Sequence, residues 1–232
     1  MAIPKVIHLI WFGNTKKNRL IQDCILSWKR VMPGWEIKEW TEENYSIQSA
    51  PLWVQVAYKE KRWAFVSDYA RIDILKKEGG VYLDTDMFML QDLEPLRTKS
   101  FFIGKEDNVH LSAGVIGCVP NHAFINDVHL YYSNLKKITP IPKILSEVFA
   151  IKHYPDVYIL ETSAFYPFSQ STISTFNKKK APKESFGVHM WNYSWGPWYA
   201  RLLHNFPLYH RAKKILESLG IKNYLKGILR LP

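Results

Sequence analysis

The most constraining stretch of this 232-residue chain runs from Ala64 to Asp86. Phe65 to Lys77 has helical spacing, Gly79-Gly80 stops the helix, and Val81-Tyr82-Leu83 is an apolar strand entering Asp84-Thr85-Asp86. Glycine tolerates the backbone that closes a helix C-terminus, and a helix feeding a buried strand directly is the joint of a layered α/β fold. Side chains in a strand alternate faces, so residues two apart point the same way. If strand geometry persists, Asp84 and Asp86 converge on one small volume. Two carboxylates that close repel and raise each other's pKa. A hard divalent cation removes that cost, and Mg²⁺ and Mn²⁺ commonly use one or two carboxylates plus substrate phosphates. The triplet therefore reads as the site of a metal-bound phosphate ester, most economically a nucleotide-sugar. An isolated Asp-x-Asp is more often a turn or a solvated strand end; the helix, glycines and strand before it favour the metal reading.

The surrounding pattern supports a parallel sheet. Lys5 to Phe12 is a continuous apolar run, as expected of a strand covered on both faces. Asn18 to Met32 has Leu20, Ile21, Ile25 and Trp28 at helical spacing, with Pro33-Gly34 as a stop. Trp35 to Trp40 is a second strand, followed by a helix-start signal at Thr41-Glu42-Glu43. Pro51 to Tyr58 is helical, and Val81 to Asp84 is the third strand. This β-α-β-α-β opening predicts a parallel sheet. Further on, Ser100–Gly104, Ala113–Cys118 and Val157–Leu160 read as strands, and Asn121–Leu135 and Ile141–Ile151 as helices. Ser169 to Glu184, with Lys178-Lys179-Lys180, reads as an exposed loop.

Charge and cysteines narrow the setting. The formal charge is +10, which fits nucleic acid, an anionic membrane or an anionic substrate. Its distribution discriminates: Arg201 to Pro232 holds seven Lys or Arg and one acid, Glu217, among leucines and isoleucines at helical spacing. That tail, residues 201–232 beside a main domain of 1–200, reads as a basic amphipathic helix for a membrane surface. Its alternative is a helix packed on the domain with a solvated basic face. No zinc-finger, RRM or helix-turn-helix signature supports nucleic acid. Cys24 and Cys118 have no metal-ligand spacing and no disulfide framework, which fits a reducing compartment. The N-terminus lacks the layout of a secretory signal, so a cytosolic location is expected.

Open α/β sheets bind ligands at strand C-terminal ends. Besides Asp84–Asp86, the end of the first strand offers Trp11, able to stack on a base, and Gly13, able to let a backbone approach a ligand. Core packing and a simple turn are their alternatives. Asp68 and Arg71 are three apart on the central helix and share a face; Arg71 can fork onto a phosphate, and Asp68 can accept from sugar hydroxyls. A surface ion pair is their plain reading. Asp73 falls on another face and is structural. His189, Asn192, Ser194 and Trp195 crowd a late segment able to close over a leaving group. Glu106, Asp107 and Asn108 read as a polar turn, with sugar contacts as the other possibility.

Taken together, Ile3–Gly13, Ala64–Arg71, Gly79–Asp86 and His189…Ser194-Trp195 resemble glycosyltransferase family 32, the DXD-containing sugar transferases. These include bacterial capsular and exopolysaccharide enzymes, and the clostridial glucosylating toxins are similar at the same motifs. The resemblance implies a GT-A fold, α/β with a Rossmann-like, mostly parallel sheet flanked by helices. It implies a nucleotide-sugar donor, UDP-linked by preference, Mn²⁺ or Mg²⁺, and transfer with retention to a glycan acceptor, lipid-linked at the inner face of a bacterial membrane. By position it implies that Trp11 stacks on the base and that Asp68 and Arg71 hold sugar and diphosphate. Tyr82 would line the nucleotide pocket, Asp84 and Asp86 would serve ribose and metal, and Ser194 and Trp195 would close the site, with His189 a third ligand or a diphosphate contact. Competing readings are a toxin-like protein glucosyltransferase and a non-catalytic nucleic-acid or glycan binder. A glycoside hydrolase fits poorly, since its two carboxyl groups lie about 5–10 Å apart and use no metal.

Overall fold

Strands without a polar face can only be stable when both faces are covered, and the fold provides that cover. The computed structural model describes residues 1–135 and 138–192. The elements are β1 (Val6–Ile10), α1 (Arg19–Val31), β2 (Glu36–Trp40), α2 (Leu52–Lys59), α3 (Trp63–Glu78), β3 (Gly80–Leu83) and β4 (Met87–Met89). They continue with β5 (Phe101–Lys105), β6 (Leu111–Cys118), α4 (Ala123–Ser133), α5 (Ile141–Ile151), β7 (Val157–Leu160) and β8 (Gly187–His189). Six strands form one sheet in the order β2-β1-β3-β6-β5-β7, with β1 parallel to β2 and β3, and β5 parallel to β7. β6 runs antiparallel between β3 and β5. This is the mixed, mostly parallel α/β architecture expected from the sequence.

The sheet separates two apolar layers. On one face, Tyr82 and Ile116 pack against Val66, Ile72 and Leu75 of α3 and against α4 and α5. On the other, Ile7, Leu9, Val81, Leu83 and Val115 pack with Trp28, Met87 and Met89. Trp28 is fully buried and donates its indole N–H to the Met87 carbonyl at 2.6 Å, which locks α1 onto β4. Asn18 starts α1 as the sequence implies, its side-chain oxygen accepting from the Ile21 N–H at 3.0 Å.

Two expectations are corrected. Thr41-Glu42-Glu43 opens no helix. Thr41 Oγ1 accepts from the Glu43 N–H and Asn44 Oδ1 from the Thr41 N–H, so local bonds close a turn and only a single 3-10 turn, Ile47–Ser49, follows. The third strand stops at Leu83 and does not reach Asp84. The Asp84 carbonyl accepts from the Met87 N–H at 2.9 Å, so Asp84–Asp86 lie in a tight turn leading into β4. β4 pairs with β8 in a small antiparallel sheet absent from the sequence reading. The proposed closing-loop residues Ser194 and Trp195 and the basic tail 201–232 lie outside the described residues. Among the described residues, no helix is long and apolar enough to cross a membrane.

Gly79 and Gly80 make the α3–β3 joint possible. Their φ values are +65° and +90°, and a Cβ on Gly80 would stand 2.8 Å from His8 Nε2 and 2.9 Å from the Val6 carbonyl oxygen. An L-residue there meets both an unfavourable backbone and a carbonyl that cannot move without breaking β1. Gly80→Ala is expected to lower stability by about 2–3 kcal/mol in urea denaturation; an unchanged midpoint would refute this account of the joint.

Candidate active site

α3 is buried almost all round, and that forces its charged residues into partnerships. Arg71 is 6% exposed and Asp68 8%. Arg71 Nη2 sits 3.0 Å from Asp68 Oδ1, and Nη1 donates to Asp84 Oδ1 at 3.1 Å and to the Ala113 carbonyl at 2.8 Å. Its Nε donates to the Ser67 carbonyl at 3.3 Å. The guanidinium carbon lies 4.4 Å from the Tyr82 ring centroid, and the Tyr82 hydroxyl donates to Asp84 Oδ1 at 2.8 Å. A guanidinium has five N–H donors, so among the described residues one on Nη2 is left for a ligand. The pair predicted from spacing is therefore a buried three-charge network and not a surface ion pair. Burial pushes the Asp68 carboxyl up to about 6 in spite of Arg71 alongside.

Asp84 Oδ1 is committed to Arg71 and Tyr82, while Oδ2 faces the open Cα of Gly114. A Cβ there would lie 3.0 Å from Oδ2 and 2.4 Å from the Tyr166 hydroxyl. That hydroxyl accepts from Ser112 Oγ at 2.6 Å, and Ser112 Oγ accepts from the Gly114 N–H at 3.1 Å. The turn after β3 carries Asp86 round, and the β4–β8 pairing sets Met87 opposite His189. His189 Nε2 consequently stands 3.3 Å from Asp86 Oδ1. One ligand atom each from Asp84, Asp86 and His189 lies within 4.8 Å of the others. Tyr166 and Trp191 pack on the His189 ring with centroids 5.1 and 4.5 Å away.

Two carboxylate oxygens and an imidazole nitrogen converging in this way fit a divalent cation. Among the described residues His189 Nδ1 is buried without a hydrogen-bond partner, whereas Nε2 stands 3.3 Å from Asp86 Oδ1 and is the nitrogen aimed at the cluster. Burial alone would pull the His189 pKa down, but Asp86, Asp84 and Glu106 outweigh it and hold it above the ordinary value. Half-buried Glu106 lies close enough to feel His189 and Asp84, and burial raises its own carboxyl. Asp107 instead closes the 106–110 turn by accepting from the Val109 and His110 N–H groups at 2.7 Å each.

The β1 end holds the remaining candidates. Trp11 is half-buried, donates its indole N–H to the Thr15 carbonyl at 2.6 Å, and has Lys17 Nζ 5.3 Å from its ring centroid. Gly13 has φ +91°, and its N–H donates to Glu42 Oε1 at 2.6 Å. A Cβ on Gly13 would meet the Trp63 indole at 2.8 Å, so the close approach observed there is Trp63's. Asp73 lies away from this site, held by Tyr45, Lys77 and His129. The sequence reading missed Gly114, Ser112 and Tyr166. Tyr166 lies in an aromatic run that reads as core, and only folding brings it to Asp84.

Residues 18–103 match the family model described as the glycosyltransferase sugar-binding region containing a DXD motif. The uncharacterized glycosyltransferase L373 of Acanthamoeba polyphaga mimivirus is 30% identical over 133 residues, 52% of this chain and 51% of that protein. Inositol phosphoceramide mannosyltransferase 3 of Schizosaccharomyces pombe is 29% identical over 133 residues, 55% of this chain and 36% of that protein. Lactosylceramide 4-alpha-galactosyltransferase of Rattus norvegicus is 25% identical over 174 residues, 63% of this chain and 47% of that protein. The chain thus spans about a third to a half of the length of these curated relatives.

Among solved structures, the PaToxG glycosyltransferase superposes with a TM-score of 0.52 at 18% identity, over 65% of this chain and 69% of that one. Galactosyltransferase LgtC, in complex with donor and acceptor sugar analogues, gives 0.50 at 14% identity, over 97% and 100%. The fold is that of the GT-A glycosyltransferases. Within it, the region from α1 to β5 is similar to their DXD-containing sugar-binding region.

Two outcomes are expected of this geometry. Gly114→Ala should displace Asp84 and Tyr166 and weaken Mn²⁺ binding at least about tenfold while costing only about 1 kcal/mol of stability. Calorimetry beside thermal denaturation checks this, and unaltered affinity would exclude the Gly114 cradle. Metal binding should also weaken as pH falls through about 6, where Asp68 takes up its proton. The raised His189 pKa acts in the same direction, because a proton on Nε2 competes with the cation. Titrations of Mn²⁺ across pH 5 to 8 read this directly, and a flat profile would contradict it.

Proposed function

We propose that this chain transfers a hexose from a nucleotide-sugar, UDP-linked by preference, to a glycan acceptor, with a divalent cation and with retention at the anomeric carbon. The observation that carries this reading is the cluster Asp84, Asp86 and His189, set beside the Arg71–Asp68 pair at the ends of β3 and β4. The imidazole in the donor set favours Mn²⁺ over Mg²⁺, which prefers oxygen alone. Bound there, the cation would supply Lewis-acid neutralisation of charge on the departing diphosphate.

The chain's own residues supply positioning. Arg71 holds Asp84 and Asp68 in place and offers its remaining Nη2 hydrogen to the diphosphate. Asp68 accepts from donor-sugar hydroxyls. Trp11 gives the base a face on which to stack, with Gly13 beside it and Tyr82 supporting Asp84 from below. Ser194 and Trp195 would close over the diphosphate and exclude water. The acceptor hydroxyl attacks from the face the diphosphate leaves, its proton passing to the departing diphosphate oxygen. The C–O bond to the leaving group breaks as the new glycosidic bond forms. Glu106, close to Asp84 and His189, lies where an acceptor hydroxyl can be held.

A lipid-linked acceptor is the acceptor class proposed, in the assembly of a capsular or other cell-surface glycan at the cytoplasmic face of a bacterial membrane. The names of the yeast and rat relatives, which denote transfer to ceramide-based lipids, support it. The word alpha in the rat enzyme's name supports retention, because an α-linked hexose donor gives an α product only by retention. The basic tail, with seven Lys or Arg and one acid, supports a peripheral place on the membrane.

Calorimetric titration of UDP, GDP and their sugar derivatives, with and without Mn²⁺, tests the reading. Mn²⁺-dependent UDP binding is expected, and selectivity for GDP would redirect the donor to a mannosyl type. Asp86→Ala should lower turnover at least about a thousandfold, as loss of a metal ligand does, while leaving the melting temperature within a few degrees. Normal turnover in that variant with metal present would refute the metal assignment.

A further inference from the structure

A basic surface surrounds β4 on the side away from its buried methionines. Lys29 and Arg30 lie in the last turn of α1, Lys178, Lys179 and Lys180 form one fully exposed 3-10 turn, and exposed Lys183 follows. The two groups meet over a single aromatic ring: the Arg30 guanidinium carbon is 5.9 Å, and Lys178 Nζ 4.9 Å, from the Phe88 centroid. Phe88 packs edge-on against Phe176 at 5.8 Å, and Phe176 against Phe168 at 5.5 Å. Leu26 is 59% exposed and stands one helical turn before Lys29 and Arg30, on their face of α1.

Pairing separates these cations from most others on the surface. Lys5, Lys17, Lys38, Lys77, Arg97, Lys105 and Lys152 each lie against a carboxylate. Among the described residues, Lys29, Arg30, Lys178, Lys179, Lys180 and Lys183 have no such ion pair. The nearest acids in sequence are Asp23, which faces Arg19 at 3.7 Å, and the exposed Glu36 and Glu184, for which no ion pair with these cations is found among the described residues. Unpaired charge of one sign is costly to gather unless an opposite charge meets it.

We propose that this patch docks on an anionic lipid headgroup surface. Lys and Arg give up little by approaching headgroup phosphates and carboxylates, and Leu26 with the phenylalanine edges can enter the headgroup–acyl boundary. A nucleic acid would use the charge alone and leave Leu26 without a role. The patch and the Asp84, Asp86 and His189 cluster share the β4–β8 strand pair. Phe88 is two residues beyond Asp86, and Val188, its partner across β4–β8, precedes His189. Docking would thus hold the site beside a surface carrying a lipid-linked acceptor; that consequence rests on the function proposed above, whereas the docking itself does not.

Sedimentation of the full chain with phosphatidylcholine vesicles, with and without phosphatidylserine, tests the proposal at physiological salt. Binding only to the phosphatidylserine vesicles is expected. The triple variant Lys178→Gln, Lys179→Gln, Lys180→Gln should bind them at least about tenfold more weakly, at roughly fivefold per charge near the surface. Leu26→Ser should weaken binding severalfold. A matched triple, Lys59→Gln, Lys61→Gln, Lys99→Gln, removes equal charge from exposed sites elsewhere and should change binding less than about twofold. Equal losses in the two triples would mean that net charge alone acts, and would overturn the patch. So would an unaffected Lys178–Lys180 variant, or a Leu26→Ser variant with full vesicle binding beside double-stranded DNA binding lost only in the patch triple. UDP binding in the same variants reports on the donor site separately, so failure of the docking and failure of the proposed transfer are distinguishable.

Discussion

The Arg71 guanidinium, shared between Asp68 and Asp84, is the interaction on which the rest of the site depends. It joins a buried helix to the end of the central strand and holds two carboxylates that would otherwise repel each other inside the protein. Breaking a buried pair by removing one partner commonly costs about 3–5 kcal/mol, because a bare charge is left behind. Here the partner left behind would be two carboxylates, one already poorly solvated enough to have its pKa raised. Arg71 thus orders the candidate site: its Nη1 holds Asp84 Oδ1, and Oδ2 is left facing Gly114.

The second constraint is the small β4–β8 sheet. Asp86 and His189 are 103 positions apart in the chain, and three pairs of residues in register bring their side chains within 3.3 Å. The sheet is anchored from the other side by α1, through the Trp28 indole on Met87 and the Ser27 hydroxyl accepting from the Met89 N–H at 2.8 Å. A shift of one residue would turn His189 to the opposite face. The precision of the cluster therefore rests on buried packing beneath it, which suits a cation site that tolerates little error in ligand position.

Sequence patterning exposed much of the framework because it depends on local periodicity. The apolar runs at β1 and β3, the Asn18 cap, the Gly79-Gly80 stop and the exact span Ile141–Ile151 are all short-range signals. Expectations failed where side chains bonded to nearby backbone, as at Thr41–Asn44, or where a turn replaced a strand, as at Asp84–Met87. Asp84 and Asp86 still converge, through the turn and not through strand alternation. β4 and β8 are three residues each, too short to carry a pattern.

The sequence by itself determined that the chain would be a layered α/β protein with a helix, a glycine joint and a strand delivering two carboxylates to one end of the sheet. These features follow from continuous apolar runs, helical periodicity, the freedom of glycine and the spacing of charges, all of which act over a few residues. Only the tertiary structure decided that Arg71 would clamp Asp84, that Gly114 would leave room for it beside Tyr166, and that His189 would complete the cluster. It also decided that the cations of α1 would meet those of residues 178–180 over Phe88. Those juxtapositions join residues 13 to more than a hundred positions apart, and they are fixed by which buried surfaces fit together, a property no local pattern encodes.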